Sequence, residues 1–195
     1  MSPGIVILLL WSAFVVSWVA ASVWSSAPQR MPDPSQTISY RLLILLGTIA
    51  LSIPTRRTGE ALQLWHIGLY GAWLCVVAIA IGIGFTWWAR LHLGRLWSAS
   101  ITLKPEHKVI DTGPYEIVRH PMYTGAFVSI IATAIAKGSI LSLVGMVMII
   151  VGFWIKARKE ERWLTAELNS EAYEVYRRRV PMLIPFMPAT ARGPA

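Results

Sequence analysis

Residues 121–162 read PMYTGAFVSIIATAIAKGSILSLVGMVMIIVGFWIKARKEER. Two apolar runs, Met122 to Ala136 and Ser139 to Ile155, are separated only by Lys137-Gly138, and the second passes directly into a charged segment beginning at Lys156. A bilayer core about 30 Å thick needs about 20 apolar residues per helix, within a range of about 17–25. Two such runs joined by a two-residue turn must lie antiparallel, so they form a helical hairpin. Working outward, Ala61 to Trp88 is a long span with Trp65 near one end and Trp87-Trp88 at the other, where interfacial aromatics belong. Ile38 to Ile53 is a short span whose Arg41 is near enough to its end to snorkel. Gly4 to Trp24 carries no charge and forms the first span; Ala20, Ala21 and Ser22 would suit a cleaved signal peptide, but the basic leading segment that such a peptide needs is missing. Prolines 28, 32 and 34 make Ser25 to Thr37 a loop, and Pro54 to Gly59 makes a turn. The expectation is an all-α integral membrane protein of about five transmembrane helices. Residues 1–88 hold three of them (4–24, 38–53 and 61–88), and residues 89–195 divide into a polar loop (89–121), the hairpin (122–155) and a polar tail (156–195).

Composition agrees with a membrane environment and excludes a water-soluble domain. The chain has 195 residues, 55% hydrophobic and 14% charged, with a mean hydropathy of +0.53, whereas soluble domains carry about 25% charge. Eighteen Lys and Arg against ten Asp and Glu give +8, but the basic residues are not interleaved with aromatics on a polar face, so no nucleic-acid partner is expected. Sorted by loop under the positive-inside rule, Arg30, Arg41, Arg90, Arg95, Lys104, Lys108, Arg119 and eight tail residues share one side, leaving Arg56, Arg57 and Lys137 on the other. That split of fifteen to three predicts an inner or plasma membrane protein with its N-terminus outside and its loop and tail together in the cytoplasm. Cys75, the one cysteine, reads as a small core hydrophobe. Gly82-Ile-Gly84 lacks the third glycine and the strand of a dinucleotide loop and reads as membrane helix packing. His66, His92, His107 and His120 show no metal-ligand spacing.

The polar loop and tail are where an active site can be built. Gly113-Pro114 signals a turn, and Pro121 suits the first turn of the following helix. Arg119, His120 and Tyr123 therefore cluster at a helix N-terminus, whose unpaired N–H groups favour an anionic ligand group, although the same residue types also serve as interfacial anchors. Glu160 and Glu161 stand where the last span leaves the membrane; acids there are functional, or compensate Lys156 and Arg158 along the helix. Tyr173 and Tyr176 lie three apart on a further short helix.

Taken in order, Gly113-Pro-Tyr-x-x-x-Arg-His-Pro-x-Tyr-x-Gly125, the hairpin, Glu160-Glu161-x-x-Leu164 and Tyr173-x-x-Tyr176-x-x-x-Val-Pro181 resemble the isoprenylcysteine carboxyl methyltransferase family. They are also similar to the wider group of integral-membrane methyltransferases that includes phospholipid N-methyltransferases. The resemblance covers about Leu93 to Phe186 and implies an S-adenosylmethionine-dependent enzyme whose cofactor lies between loop and tail, making 89–195 the catalytic region. It implies cofactor contacts for His107, Lys108, Val109, Ile110, Tyr115, His120, Pro121, Met122, Tyr123 and Glu160, and catalytic roles for Arg119, Glu160 and Glu161. Lys156 falls where some members carry an arginine against the substrate carboxylate; it keeps the charge without the bidentate fork. The implied partners are a lipidic or prenylated substrate and the membrane itself. A carboxylate acceptor needs no general base, whereas an amine acceptor would need one, and Glu160 or Glu161 would then be the candidate. Sterol-reductase-like membrane enzymes carry a similar Arg-His-Pro-x-Tyr segment, so an NADPH-dependent reductase is a second enzymatic reading, and a non-catalytic membrane scaffold is a third.

Overall fold

The structure is a computed structural model that describes residues 1–23, 37–54, 62–94, 110–168 and 171–187. Its helices are α1 (Pro3–Ser22), α2 (Ile38–Ser52), α3 (Leu69–Leu93), the single turn α4 (Pro114–Ile117), α5 (Pro121–Lys137), α6 (Ile140–Leu168) and α7 (Glu171–Arg179). Among the described residues the only β-type pairing is an isolated bridge between Gln63 and Ser139. The chain is thus an all-helical membrane protein. Among the described residues, three segments can cross a bilayer by length and composition, Pro3–Ser22, Leu69–Leu93 and Ile140–Ala166, while the apolar α2 is shorter and α5 has 17 residues.

The third helix differs from its expected bounds at both ends. It starts at Leu69 and not at 61, because residues 62–68 are held in an extended path across the α5–α6 turn: the Leu64 N–H donates to Gly138 O (2.8 Å), Gln63 Nε2 to Lys137 O (3.0 Å), and Trp65 Nε1 to Ile135 O (3.0 Å). At its other end it runs past Trp88 to Leu93, since Arg90 is buried and spans between Ala21 O (2.9 Å) and Gly94 O (2.8 Å). That guanidinium ties the C-terminal ends of α1 and α3 together, where a cation is favoured by unpaired carbonyls.

The turn at Lys137-Gly138 is present, and Gly138 closes α5 in the left-handed region (φ 59°). Yet α5 and α6 bury their faces mainly against other helices, α5 against α3 and α6 against α2. Both pairs are antiparallel and joined by small residues. In the α3–α5 pair, Ser129 Oγ donates to Ile79 O (3.1 Å) and Thr86 Oγ1 lies 3.3 Å from Met122 O, with Gly82 facing Gly125. In the α2–α6 pair, Gly47 faces Gly145, and Gly152 faces Ile44. A Cβ added at Gly82 would fall 2.5 Å from Gly125 O and would also overlap Ser129 Oγ. Gly82→Val is therefore expected to push α3 from α5 at a cost of about 1–3 kcal/mol, read as a lower midpoint of thermal unfolding in detergent.

α1 runs parallel to α3, with Trp18 against Trp87 (5.5 Å between ring centroids) and Trp11 Nε1 donating to Thr133 Oγ1 on α5 (3.0 Å). It has no buried residue, as expected for a helix that meets lipid over most of its surface. Lys137 Nζ donates to Ile53 O (2.7 Å) and Leu51 O, capping α2 at the end of the bundle opposite Arg90. These directions bring the end of α3, the start of α5, the last turns of α6, and α7 to one end of the bundle.

Candidate active site

A C-terminal strap is laid along the start of α5. His120 is the N-cap and Pro121 the first helical residue, so the preceding backbone N–H groups point outward and find partners in the tail. Arg119 N–H donates to Pro181 O (2.9 Å) and His120 N–H to Met182 O (3.0 Å), and Thr124 Oγ1 donates to Leu183 O (2.6 Å). The buried Arg119 side chain fastens the same strap: its Nε donates to Glu161 Oε1 (2.6 Å) and its NH1 to Arg177 O (2.8 Å) and Val180 O. Beneath the strap, Tyr173, Tyr176 and Val180 pack with Leu164. Tyr176 OH donates to Tyr115 O (2.8 Å), which connects the tail to the Gly113-Pro114-Tyr115 turn. Burial pushes the Tyr115 and Tyr176 phenols well up, so both are neutral at physiological pH.

A second cluster uses the adjacent face of the same α6 turn. Tyr123 OH donates to Glu160 Oε2 (2.8 Å), with Oε1 at 3.0 Å. Lys156 Nζ lies 3.7 Å from Glu160 Oε1, one turn earlier, and 5.3 Å from the centre of the Tyr123 ring. The His120 ring is parallel to that of Tyr123 (3° apart, centroids 5.4 Å), and its Nδ1 is 3.6 Å from Glu160 Oε2. His120 Nε2 is 3.4 Å from Glu161 Oε1 but poorly aligned, which leaves this buried nitrogen without a hydrogen bond. Successive helical residues point about 100° apart, so Glu161 turns to Arg119 while Glu160 turns to Tyr123 and Lys156. Two adjacent acids are thereby put to different uses.

The structure therefore brings Arg119, His120, Tyr123, Lys156, Glu160 and Glu161 into one cluster. Pro121 and Met122 form the first turn of α5 beside them, and Tyr115 is buried on α4, linked through Tyr176. Ile110 is half-buried in non-helical chain beside α4; His107, Lys108 and Val109 lie outside the described residues. Two contributors were not singled out from sequence. His92, at the end of α3, pairs with Thr112 (Nε2 to Oγ1, 3.0 Å) and stacks on Tyr115 (6.2 Å), and Asp111 pairs with Arg179 NH2 (2.7 Å). Each joins segments distant in sequence, so no local spacing announces it.

Residues 73–166, from α3 to the last turns of α6, match the model of the isoprenylcysteine carboxyl methyltransferase family. These residues, just under half of the chain, are similar to that family. The matched segment contains the whole Arg119–Glu161 and Tyr123–Glu160 constellation, and the strap follows it. A protein-S-isoprenylcysteine O-methyltransferase of Schizosaccharomyces pombe is 28% identical over 102 residues, 51% of this chain and 43% of that protein. A methanethiol S-methyltransferase of Crocosphaera subtropica is 40% identical over 73 residues, covering 37% and 28% of the two chains. A nickel-cobalt-cadmium resistance protein of Alcaligenes xylosoxydans is 29% identical over 158 residues, covering 79% and 70%. The chain spans 43% to 66% of the length of the first isoprenylcysteine methyltransferase relatives it matches.

Proposed function

We propose that this chain, as a member of the isoprenylcysteine carboxyl methyltransferase family, transfers a methyl group from S-adenosylmethionine to a lipidic acceptor at the cytoplasmic face of its membrane. The acceptor closest to the relatives' named activity is the carboxylate of a prenylated cysteine or a similar isoprenoid acid. The observation that carries this reading is the Glu160 cluster: one carboxylate, one ammonium and two parallel rings at the membrane end of α6, inside the segment that matches the family.

These residues fit the cofactor's chemistry. S-adenosylmethionine, when bound, supplies an activated methyl group on a cationic sulfur, beside an amino and a carboxylate group. Glu160 accepts from Tyr123 and retains lone-pair capacity for the cationic amino side, and the Tyr123 and His120 rings offer faces to a cation. The buried His120 Nε2, which makes no hydrogen bond although it lies near Glu161, is a polar atom suited to a further ligand contact. We assign Lys156, which is buried next to Glu160, to the acceptor carboxylate. Arg119 and Glu161, expected from sequence as catalytic groups, are better read as the positioning pair that holds strap and α6 together. Because a carboxylate acceptor is already ionised, no residue has to remove a proton. Holding the reactants in line and excluding water are what the chain must provide, and orientation of this kind contributes about 7–11 kcal/mol. The division into a helical part (1–88) and a catalytic part (89–195) belongs to the same proposal, as does the outside location of the N-terminus.

Titration of the purified protein in detergent with S-adenosylmethionine and S-adenosylhomocysteine is expected to give saturable heat with one site per chain. Absence of heat with both ligands, together with binding of NADPH, would turn the reading to a reductase.

A further inference from the structure

The strap continues into Ile184, Phe186 and Met187, whose exposures of 55%, 97% and 55% make an apolar tip on a polar tail. Phe186 also holds a left-handed backbone (φ 65°), a conformation unfavourable for a bulky residue. Exposed apolar side chains of this size call for an environment other than water.

The direction of the strap identifies that environment. Its contacts advance together with α5, from Pro181 O at Arg119, through Met182 O at His120, to Leu183 O at Thr124. The strap therefore descends with the first turn of α5 toward the apolar body of the bundle. Thr124 stands at the head of a face that continues through Val128, Ile131 and Ile135, at helical spacings of four, three and four, and all three are exposed. On α6 the corresponding exposed face runs Val144, Val147, Val151 and Trp154 and ends in Arg158, stacked on Trp154 at 4.9 Å, and Arg162, both exposed. An aromatic followed by arginines marks the passage from acyl chains to headgroups. The two helices are level there, since Tyr123 meets Phe153 at 5.0 Å and reaches Glu160. The last contact of the strap with α5, Leu183 O at Thr124, thus lies near the depth of Trp154 and Arg158, one to four residues before the tip.

We propose that Ile184, Phe186 and Met187 are inserted into the interfacial layer of the same bilayer that α1, α3 and α6 cross, so that the strap closing the site is anchored by lipid. The occupant of this apolar surface is the boundary between headgroups and acyl chains. This inference rests on the membrane reading and not on methyl transfer.

The test uses the full chain in lipid nanodiscs with Cys75→Ala as background and an environment-sensitive fluorophore on Phe186→Cys, with Met187→Cys as a second site and Arg178→Cys as the solvent control. The labels at 186 and 187 are expected to emit at shorter wavelength than at 178. They should be quenched several-fold more by phospholipid spin-labelled near the headgroup than by aqueous iodide. Quenching by iodide at all three sites would overturn the proposal by placing the tip in water. Quenching by neither agent at 186 and 187 would overturn it by showing protein, such as a second copy, as the cover. Saturable binding of S-adenosylmethionine to the labelled proteins provides a separate readout, so failure of the anchor and failure of the proposed activity are distinguishable.

Discussion

Glu160→Gln is expected to leave the helices in place and to weaken S-adenosylmethionine binding by about ten- to a hundredfold. The substitution keeps the volume and an acceptor for Tyr123 OH, which now donates to Glu160 at 2.8 and 3.0 Å, and removes only the charge. A hydrogen bond to a charged group contributes about 1.5–3 kcal/mol, and each 1.4 kcal/mol is about a factor of ten in affinity. Calorimetric titration of the variant checks the loss, and an unchanged unfolding midpoint separates it from a folding defect. If affinity were unaltered, Glu160 would be serving only Lys156 and Tyr123.

The second large effect is on stability. Arg119→Ala removes a guanidinium whose side chain is 4% exposed and leaves Glu161 as a buried charge, while Arg177 O and Val180 O lose their donor. Breaking a buried pair from one side costs about 3–5 kcal/mol, so the unfolding midpoint should fall by on the order of 10 °C. The mechanism has a further signature: Arg119→Ala combined with Glu161→Gln should be less destabilised than Arg119→Ala alone, because the uncompensated charge is gone. Thermal unfolding of the four proteins of that cycle measures the coupling directly. Equal loss in the single and double variants would make packing, and not charge, the dominant contribution of Arg119.

Much of this architecture could be read from local pattern, because membrane helices declare themselves by uninterrupted apolarity. The turn at Lys137-Gly138, Pro121 at the start of α5 and the shared end of loop and tail all follow from residue types and charge sorting. What was not legible is tertiary. The expected hairpin partners bind other helices more closely, since the Gly82–Gly125 and Gly47–Gly145 approaches select the pairs, and such approaches are invisible to hydropathy. α3 starts at Leu69 because Gln63, Leu64 and Trp65 bond to the end of α5 and its turn, seventy or more residues away. At the site, motif order marked the cluster of Arg119, His120, Tyr123, Glu160 and Glu161 before any contact was known. It could not divide the two acids between them, since that depends on the angular offset of neighbouring helical positions against two different partners. The contacts of His92 were not legible because its partners, Thr112 and Tyr115, are twenty or more residues away.

The central claim is tested most directly by incubating the protein, reconstituted in lipid, with methyl-labelled S-adenosylmethionine and a prenylated cysteine acid, then treating the extracted lipid with mild base. The account predicts label in the lipid fraction that is released as volatile methanol, dependent on the acceptor's free carboxyl and lost with Glu160→Gln. Label that resists base, or no transfer to any carboxylate acceptor by a protein that binds the methyl donor, would contradict it.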